Sequence, residues 1–529
     1  MSINRIQKDI LRVLIEEKTY INLNDIILKL SSHKLTTRTF QKHIKPLVET
    51  NRIDISGKAS STKYIISEIQ SSYPSSEFLY VYKDNIIIGQ FFKIKGIYRF
   101  YYDSEYLSLY NEAIPTLELG VNPYDFEEIP AIFEDNIPEG INKELIEIKY
   151  KEADEFEILN LMDDSIGDLC FSKSKESCYI EGKKAHGFLS SLDEILSTNP
   201  KINILEGFSI DLSDAGLFLE NEDLSSLKNV RAEGISGFQY KKFVNIDFNK
   251  KQILSNEKNS QYILKPYSKI KADPKSDHYF PHMALNEHLH LSFAKNELGF
   301  RVPYSALIKR DGDEEYHYIV KRFDRLGGKR FAKASFAAYM GLRSENKYST
   351  TSEKMFKRIE RELISPKEKM ELLKHYVYSV IIVHEDLHAK NLSLIYDNNK
   401  VLFAPLYDVC STAFYGNGYG YESHLTINGK RNNIRPNDFK NICKILNIPF
   451  KEFKKEAANI AKAYIEKMPL YFAQIRKIGY IPYSIKKQAT KRGESSSVYM
   501  KIVEEKNFVD ILEKNHTQRI ESLKELGWC

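Results

Sequence analysis

Apolar positions recur at helical spacing three times within the first fifty residues. Ile6, Ile10, Val13 and Leu14 share one face over residues 3–17. Leu23, Ile26, Ile27 and Leu30 repeat the pattern behind Asn22, a suitable N-cap. A third run from Thr36 turns Phe40, Ile44, Leu47 and Val48 inward, and extended stretches at 52–56 and 63–66 follow, around the loop Gly57-Lys58-Ala59-Ser60-Ser61. Three short helices and a wing predict a winged helix-turn-helix over residues 1–69. The polar stretch 70–76 reads as a linker. The period then shortens to two at 78–82, 86–92 and 98–102, the first two joined around Lys83-Asp84-Asn85. Residues 77–172 therefore predict a small sheet covered by acidic helices, with no catalytic cluster of its own. Residues 173–230 are less regular, with a helix expected near 187–196. Strands at 242–246, 262–265 and 316–323 and a helix at 283–293 follow. From Ala332 the pattern is mostly helical, and residues 436–529 predict several further amphipathic helices. The fold class is α+β: a head (1–69), a subdomain (77–172), a mixed α/β lobe (173–325) and a mostly helical lobe (326–529).

Composition narrows the function classes. A chain of 529 residues, 42% apolar and 28% charged, predicts an ordinary soluble protein of about three to four domains. No apolar run approaches the ~18 residues of a membrane span, and the polar start lacks the core of a signal peptide. Five scattered cysteines without a C-x-x-C predict a reduced, cytoplasmic protein with no membrane partner. The net charge of +5 is segregated: residues 1–72 carry +5 and residues 73–172 carry −14. A basic head suits a polyanion. On the third helix Thr37, Arg38, Gln41, Lys42 and Lys45 form the polar face. Arg38 and Gln41 are candidates for base edges, and Lys42, Lys45 and the wing residue Lys58 for phosphates. The alternative is a small dimerisation or packing module.

The richest stretch is 384–408, HEDLHAKNLSLIYDNNKVLFAPLYD. Met370, Leu373, Val377, Val380 and Ile381 predict a buried helix leading into it, and 392–395 and 401–403 predict a hairpin within it. Asp386 and Asn391 then fall on a loop and Asp408 just past the hairpin. Phosphoryl transfer needs a carboxylate to take the acceptor's proton and oxygen ligands for magnesium. Upstream, Gly234 to Lys241 (GISGFQYK) could bring backbone N–H groups to a phosphate. Lys265 ends a strand after that loop, where a phosphate-binding lysine sits, and Glu287 could pair with it. Asp324 to Gly328 reads as a turn between lobes, with adenine held near Lys321 and Phe323. The same letters hold a rival, H-E-x-x-H at 384–388, a zinc-protease signature if helical. Lys390 beside such a metal, strand-like 392–395 and Leu394 in place of a third His count against it.

Taken in order, IFEDNIPEG with IGDLC, GISGFQYK, IVKRFDR, DLHAKN and PLYD resemble the HipA family of bacterial Ser/Thr kinases, toxins of type II toxin–antitoxin systems, over about residues 77–480. The fused head resembles the YjjJ-like branch. The resemblance implies a two-lobed, protein-kinase-like fold using ATP and magnesium. It implies Asp386 as catalytic base and Asn391 and Asp408 as metal ligands. Ser236, Gly237, Phe238, Gln239, Tyr240, Lys241, Lys265, Lys321, Arg322, Phe323, His388, Lys390 and Tyr407 join Asn391 and Asp408 around the nucleotide. Family members autophosphorylate loop serines; here Gly234 stands at the first position and Ser236 remains. The implied partners are a protein substrate, with an aminoacyl-tRNA synthetase as the family precedent, DNA through the head, an antitoxin, and a second copy of the chain. Two other readings stay open: an ATP-sensing regulator without transfer, and a metal-dependent nuclease targeted by the head.

Overall fold

The computed structural model describes residues 2–151, 153–176, 187–197, 200–210, 232–235, 237, 239–255, 259–397, 400–415, 420–490 and 498–529. The head forms as its periodicity predicts. Helix Arg5–Glu17 starts in a capping box between Asn4 and Gln7 and buries Ile10, Leu11, Val13 and Leu14. Asn22 caps Leu23–Lys29, and Thr36 caps Thr37–Glu49, which buries Phe40, Ile44 and Leu47. Strands Ile53–Ser56 and Lys63–Ile66 pair antiparallel, and the two-residue strand Ile21–Asn22 adds to the outer side of Lys63–Ile66.

The head is not loosely tethered. The stretch read as a linker is docked: Ile69 just before it is buried, and the Tyr73 ring packs on Phe92 while its hydroxyl accepts from the Arg99 guanidinium (2.8 Å) and shares a hydrogen bond with the Tyr101 hydroxyl (2.9 Å). Its polar composition hid the Tyr73 anchor. Deeper down, the fully buried Arg52 guanidinium donates to the carbonyls of Val121 (2.9 Å) and Tyr102 (2.7 Å) and to Ser104 Oγ (3.2 Å). Arg12 and Lys8 add contacts to the Ser108 and Tyr110 carbonyls.

The following subdomain is a five-stranded antiparallel sheet in the order Tyr124–Phe126, Ile97–Tyr102, Ile86–Ile94, Glu77–Lys83, Leu169–Ser172. Asp84 and Asn85 take positive φ in the predicted turn. Phe91, Phe100, Phe133, Phe156 and Phe171 fill the face that helices Ala131–Glu134 and Glu155–Leu161 cover. Gly89 is obligatory there, because a Cβ would lie 2.3 Å from the Tyr101 carbonyl oxygen.

The next lobe is a six-stranded sheet in the order Ser209–Ile210, Gln252–Ser255, Lys242–Asp247, Tyr262–Lys265, His317–Lys321, Ser305–Ile308. Helix Met283–Leu298 is buried nearly all round, as expected of a helix enclosed between lobes. Part of the 187–196 expectation survives, as helix Leu192–Leu196. The predicted turn at Asp324 is a short hairpin, Arg325–Leu326 with Lys329–Arg330. Helix Pro366–Ile381, the hairpin Ser393–Asp397 with Lys400–Phe403, and the long helix Phe450–Arg476 build the second lobe. One expectation fails. Residues 482–490 and 498–507 are not helical but form an antiparallel pair, Pro482–Thr490 with Val498–Asn507. Its base is pinned by His282 Nε2 at the Pro482 carbonyl (2.7 Å) and the Tyr279 hydroxyl at the Ser484 N–H (2.9 Å), partners two hundred residues away that local periodicity does not register.

Replacing Arg52 by Met leaves two carbonyls and a hydroxyl buried without their donor. The expected loss is about 2 kcal/mol or more of stability, read by urea denaturation of the full chain, with new protease cleavage in 66–77. An unchanged denaturation midpoint would show that the guanidinium does not hold the head.

Candidate active site

A cavity of about 950 Å³ opens between the six-stranded sheet and the helical lobe, within the size range of small-ligand sites. Strand Tyr262–Lys265 pairs with Lys242–Asp247 on one side and His317–Lys321 on the other, so its register is fixed and Lys265 is aimed into the cavity wall. The Lys265 ammonium contacts both carboxylate oxygens of Glu287, at 2.7 and 2.9 Å, and Oδ1 of Asp408. The Lys241 ammonium holds the other Asp408 oxygen at 3.0 Å. Burial by itself would raise the Asp408 pKa, but the Lys241 and Lys265 charges hold it well below the usual carboxylate range. Burial works against the Lys265 charge as well, yet Asp408 and Glu287 keep it above the ordinary lysine value. For Lys241 burial wins and the pKa falls; burial likewise pushes Glu287 up.

The loop before the hairpin has the predicted form. Helix Pro366–Ile381 stops at Ile381, and the backbone turns through Val383 at positive φ. His384, Leu387, His388, Lys390 and Asn391 are buried while Asp386 between them is exposed to the cleft. The loop is braced by the Asn391 side-chain oxygen accepting from the His388 N–H (3.0 Å) and by His388 Nδ1 accepting from the Lys390 N–H (3.2 Å). An accepting Nδ1 places the proton of the neutral ring on Nε2. Burial pulls the His388 pKa down to about 3. The zinc reading fails here. His384 and His388 share no helical face, His384 Nδ1 faces the Cys410 carbonyl, and no group of three His, Cys, Asp or Glu that could hold a metal occurs among the described residues.

Of the residues picked from sequence, Gly237, Gln239, Lys241, Lys265, Lys321, Arg322, Phe323, Asp386, His388, Lys390, Asn391, Tyr407 and Asp408 all line this one cavity. Ser236 and Phe238 lie outside the described residues. Three picks need correction in detail. Tyr240 is not on the cavity wall: it is buried in the sheet core with Val244 and Leu264. The Arg322 guanidinium faces Asp164 (2.9 Å) and Asp324 (2.9 Å) and stacks 3.8 Å over Phe243, so it ties strands together. Lys390 turns toward Glu139 and Ser344 Oγ. Gly234 is no flexible loop residue either. It pairs with Ser165, and a Cβ there would sit 2.2 Å from the Asn136 carbonyl oxygen.

Some lining residues carried no local signal. Lys333 enters the cavity with its ammonium 5.5 Å over the Tyr407 ring, and burial lowers its pKa. Asp135, a lining residue, and Glu139, which holds Lys390, come from the acidic subdomain, whose pattern predicts no catalytic cluster. The Lys390 and Lys347 ammoniums outweigh burial and depress Glu139. Phe323 and Tyr407 rings, 5.6 Å apart, form an aromatic wall at the interlobe end.

Residues 79–172 match the family model described as the HipA N-terminal domain, and residues 234–470 match that of the HipA-like C-terminal domain. The chain belongs to the HipA family. A Haemophilus influenzae protein named "Putative kinase" is 27% identical over 209 residues, 37% of this chain and 57% of that protein. "Putative kinase Y4dM" of Sinorhizobium fredii is 31% identical over 132 residues, 23% of this chain and 32% of that protein. The matches thus span between a third and just over half of these relatives. The HipA of Shewanella oneidensis, solved in a toxin–antitoxin complex with HipB and operator DNA, superposes with a TM-score of 0.55 at 15% identity, covering 84% of this chain and 97% of that one. At that identity the likeness is one of fold, and it makes the mixed α/β architecture HipA-like. No helix among the described residues is long and apolar enough to cross a membrane.

The His388 ring predicts a spectroscopic outcome. Its depressed pKa leaves it uncharged wherever the unfolded chain would take up a proton, so it draws stability down as pH falls through about 6.5 toward 3. Nitrogen-15 shifts should report a neutral, Nε2-protonated ring at pH 5. A ring titrating near 6.5 would contradict the burial.

Proposed function

We propose that the protein is an ATP- and magnesium-dependent protein serine/threonine kinase of the HipA type, with a winged helix-turn-helix head that binds DNA. The observation that carries this reading is the convergence of Lys241, Lys265 and Glu287 from the sheet lobe with Asp386, Asn391 and Asp408 from the helical lobe around one cavity. Asp386 is exposed at the cleft, where a general base must be to reach an acceptor hydroxyl. Lys265, oriented by Glu287, and Lys241 present buried positive charge to the phosphates of ATP, where low polarity strengthens the attraction. The Phe323 and Tyr407 rings offer the adenine a flat apolar wall. The Lys321 and Arg322 N–H groups already donate to the Tyr304 and Gln261 carbonyls, so hinge recognition falls to other backbone groups.

The oxygen donors of Asn391 and Asp408 fit magnesium, which takes one or two protein ligands and completes its shell with water and phosphate. Magnesium, when bound, neutralises phosphate charge there. Asp408 would exchange an ammonium contact for it, which Lys241 on its flexible stem permits. Ser236 is retained as an autophosphorylation position.

The head supports a DNA role by its surface. Thr37, Arg38, Gln41, Lys42, Lys45 and Lys58 are all exposed. Gln41 now donates to the Tyr64 hydroxyl (3.1 Å), and Lys45 lies 3.6 Å from Glu49, an exposed pair of little strength. The Shewanella oneidensis HipA was solved with HipB and operator DNA; a head of its own lets this chain meet DNA directly, with or without an antitoxin or a second copy. The protein substrate, an aminoacyl-tRNA synthetase by family resemblance, and a cytoplasmic location complete the reading.

Asp386→Asn should lower transfer of labelled γ-phosphate by a factor on the order of 10²–10⁴ with an unchanged circular dichroism spectrum; undiminished transfer would end the kinase reading. Lys42→Ala should weaken binding to all duplexes and flatten the plot of log affinity against log salt by about one unit. An unaltered slope would exclude that lysine from the phosphate contacts.

A further inference from the structure

Tyr348 has no place in the machinery described so far, yet it touches its centre. The residue follows the turn Ser344–Asn346 and lines the same cavity. Its ring is held between two imidazoles, His388 edge-on at 5.0 Å and His424 at 4.3 Å between centroids. The phenolic hydroxyl donates a hydrogen bond to Oδ1 of Asp386. A base must lie within hydrogen-bond reach of the proton it removes. Among the described hydrogen bonds, the hydroxyl that meets this condition at Asp386 is that of Tyr348. The acceptor's place beside the base is filled by the chain itself.

We propose that Tyr348 is a phosphoryl acceptor of this enzyme, an intramolecular autophosphorylation site on tyrosine; the idea rests on the kinase reading above. The Tyr348 oxygen forms the new bond to the γ-phosphorus of ATP. The bond from that phosphorus to the β,γ-bridging oxygen breaks, and its electron pair leaves with ADP. The phenolic proton passes to Asp386. Once exposed Asp386 has released that proton to water, the product sets a phosphate dianion against its carboxylate. Like charges at such a distance repel, so the modified side chain leaves the base and frees the acceptor position for an external hydroxyl. The segment has room to move, since Glu345, Asn346 and Ser349 are exposed. Tyr348 thus works as an occupant that its own modification removes.

The test uses the full-length chain incubated with magnesium and ATP, digested and read by tandem mass spectrometry. Cleavage after Lys347 and Lys354 releases residues 348–354, which also contain Ser349, Thr350, Thr351 and Ser352, so fragment ions must assign the position. The expected result is phosphate on Tyr348 in the wild type, in a yield that does not change on dilution. It should be absent from Asp386→Asn and from Tyr348→Phe. Phosphate elsewhere on the chain, or transfer to myelin basic protein as a generic acceptor, with Tyr348 bare overturns the proposal and leaves the kinase reading standing. Phosphate on Ser349 or its neighbours instead also overturns it. No labelled phosphate on any acceptor brings down both.

Discussion

The Asp408 carboxylate is where the two lobes are joined electrically. It comes from the helical lobe, just past a hairpin, and takes one ammonium on each oxygen, both from the sheet lobe. All three groups are largely buried, and Glu287 shares the Lys265 charge. Taking such charges from water costs several kcal/mol each, and removing one partner leaves the rest uncompensated. The arrangement therefore demands accuracy from everything around it. The Tyr262–Lys265 strand is locked by neighbours on both sides, the Met283–Leu298 helix is buried enough to fix Glu287, and Asp408 itself adopts φ +52°, a left-handed backbone uncommon outside glycine. Local strain of this kind gathers at sites where geometry matters more than stability.

The second constraint is charge complementarity between the acidic subdomain and the rest of the chain. A net −14 over residues 73–172 looks from the sequence like a solvated face. Much of it is instead spent inward. Arg343 meets Glu128, Glu134 and Glu155, while Lys347 and Lys390 share Glu139. Asp164 sits nearly unexposed among Arg322, Arg325 and Arg330, and its carboxyl is held down to about 2 by those guanidiniums despite burial. The subdomain therefore braces both the interlobe hairpin and the loop that carries Asp386. Lys390, adjacent to Asn391, is oriented by an acid more than two hundred residues upstream.

What could be read from the sequence follows the range of the interactions involved. Helix Thr37–Glu49, strand Tyr262–Lys265 and the 393–403 hairpin are set by spacing, caps and turn residues within a few positions, and they were legible. The pairing of Lys265 with Glu287 was legible from a strand-end lysine between a glycine-bearing loop and a helix, whereas the approach of Asp408 to them followed from the family resemblance and not from local spacing. Tyr240 was misplaced because a loop and a strand edge look alike until the pleat decides which side chain faces inward. Arg322 was misread because its acid partners lie up to 158 residues away. The ladder of 482–490 with 498–507 was missed for the same reason: its anchors at His282 and Tyr279 lie two hundred residues upstream.

Charge in the cleft is layered, and the layering follows from burial. The ammoniums of Lys241 and Lys265 are sunk in the wall, with side chains 8% and 6% exposed, while Asp386 stands at the surface of the loop. An anion entering the cavity meets fixed positive charge in a medium of low polarity, where it cannot be screened as it would be at the surface. A hydroxyl meets Asp386 at the mouth, where water competes and the hydrogen bond is worth less. A resident phenol held by two imidazole rings evades that competition, since its ring contacts supply the binding and its hydroxyl need only be directed. Asp386 is thereby kept occupied without being buried, and its carboxylate stays open to any hydroxyl able to displace one aromatic side chain.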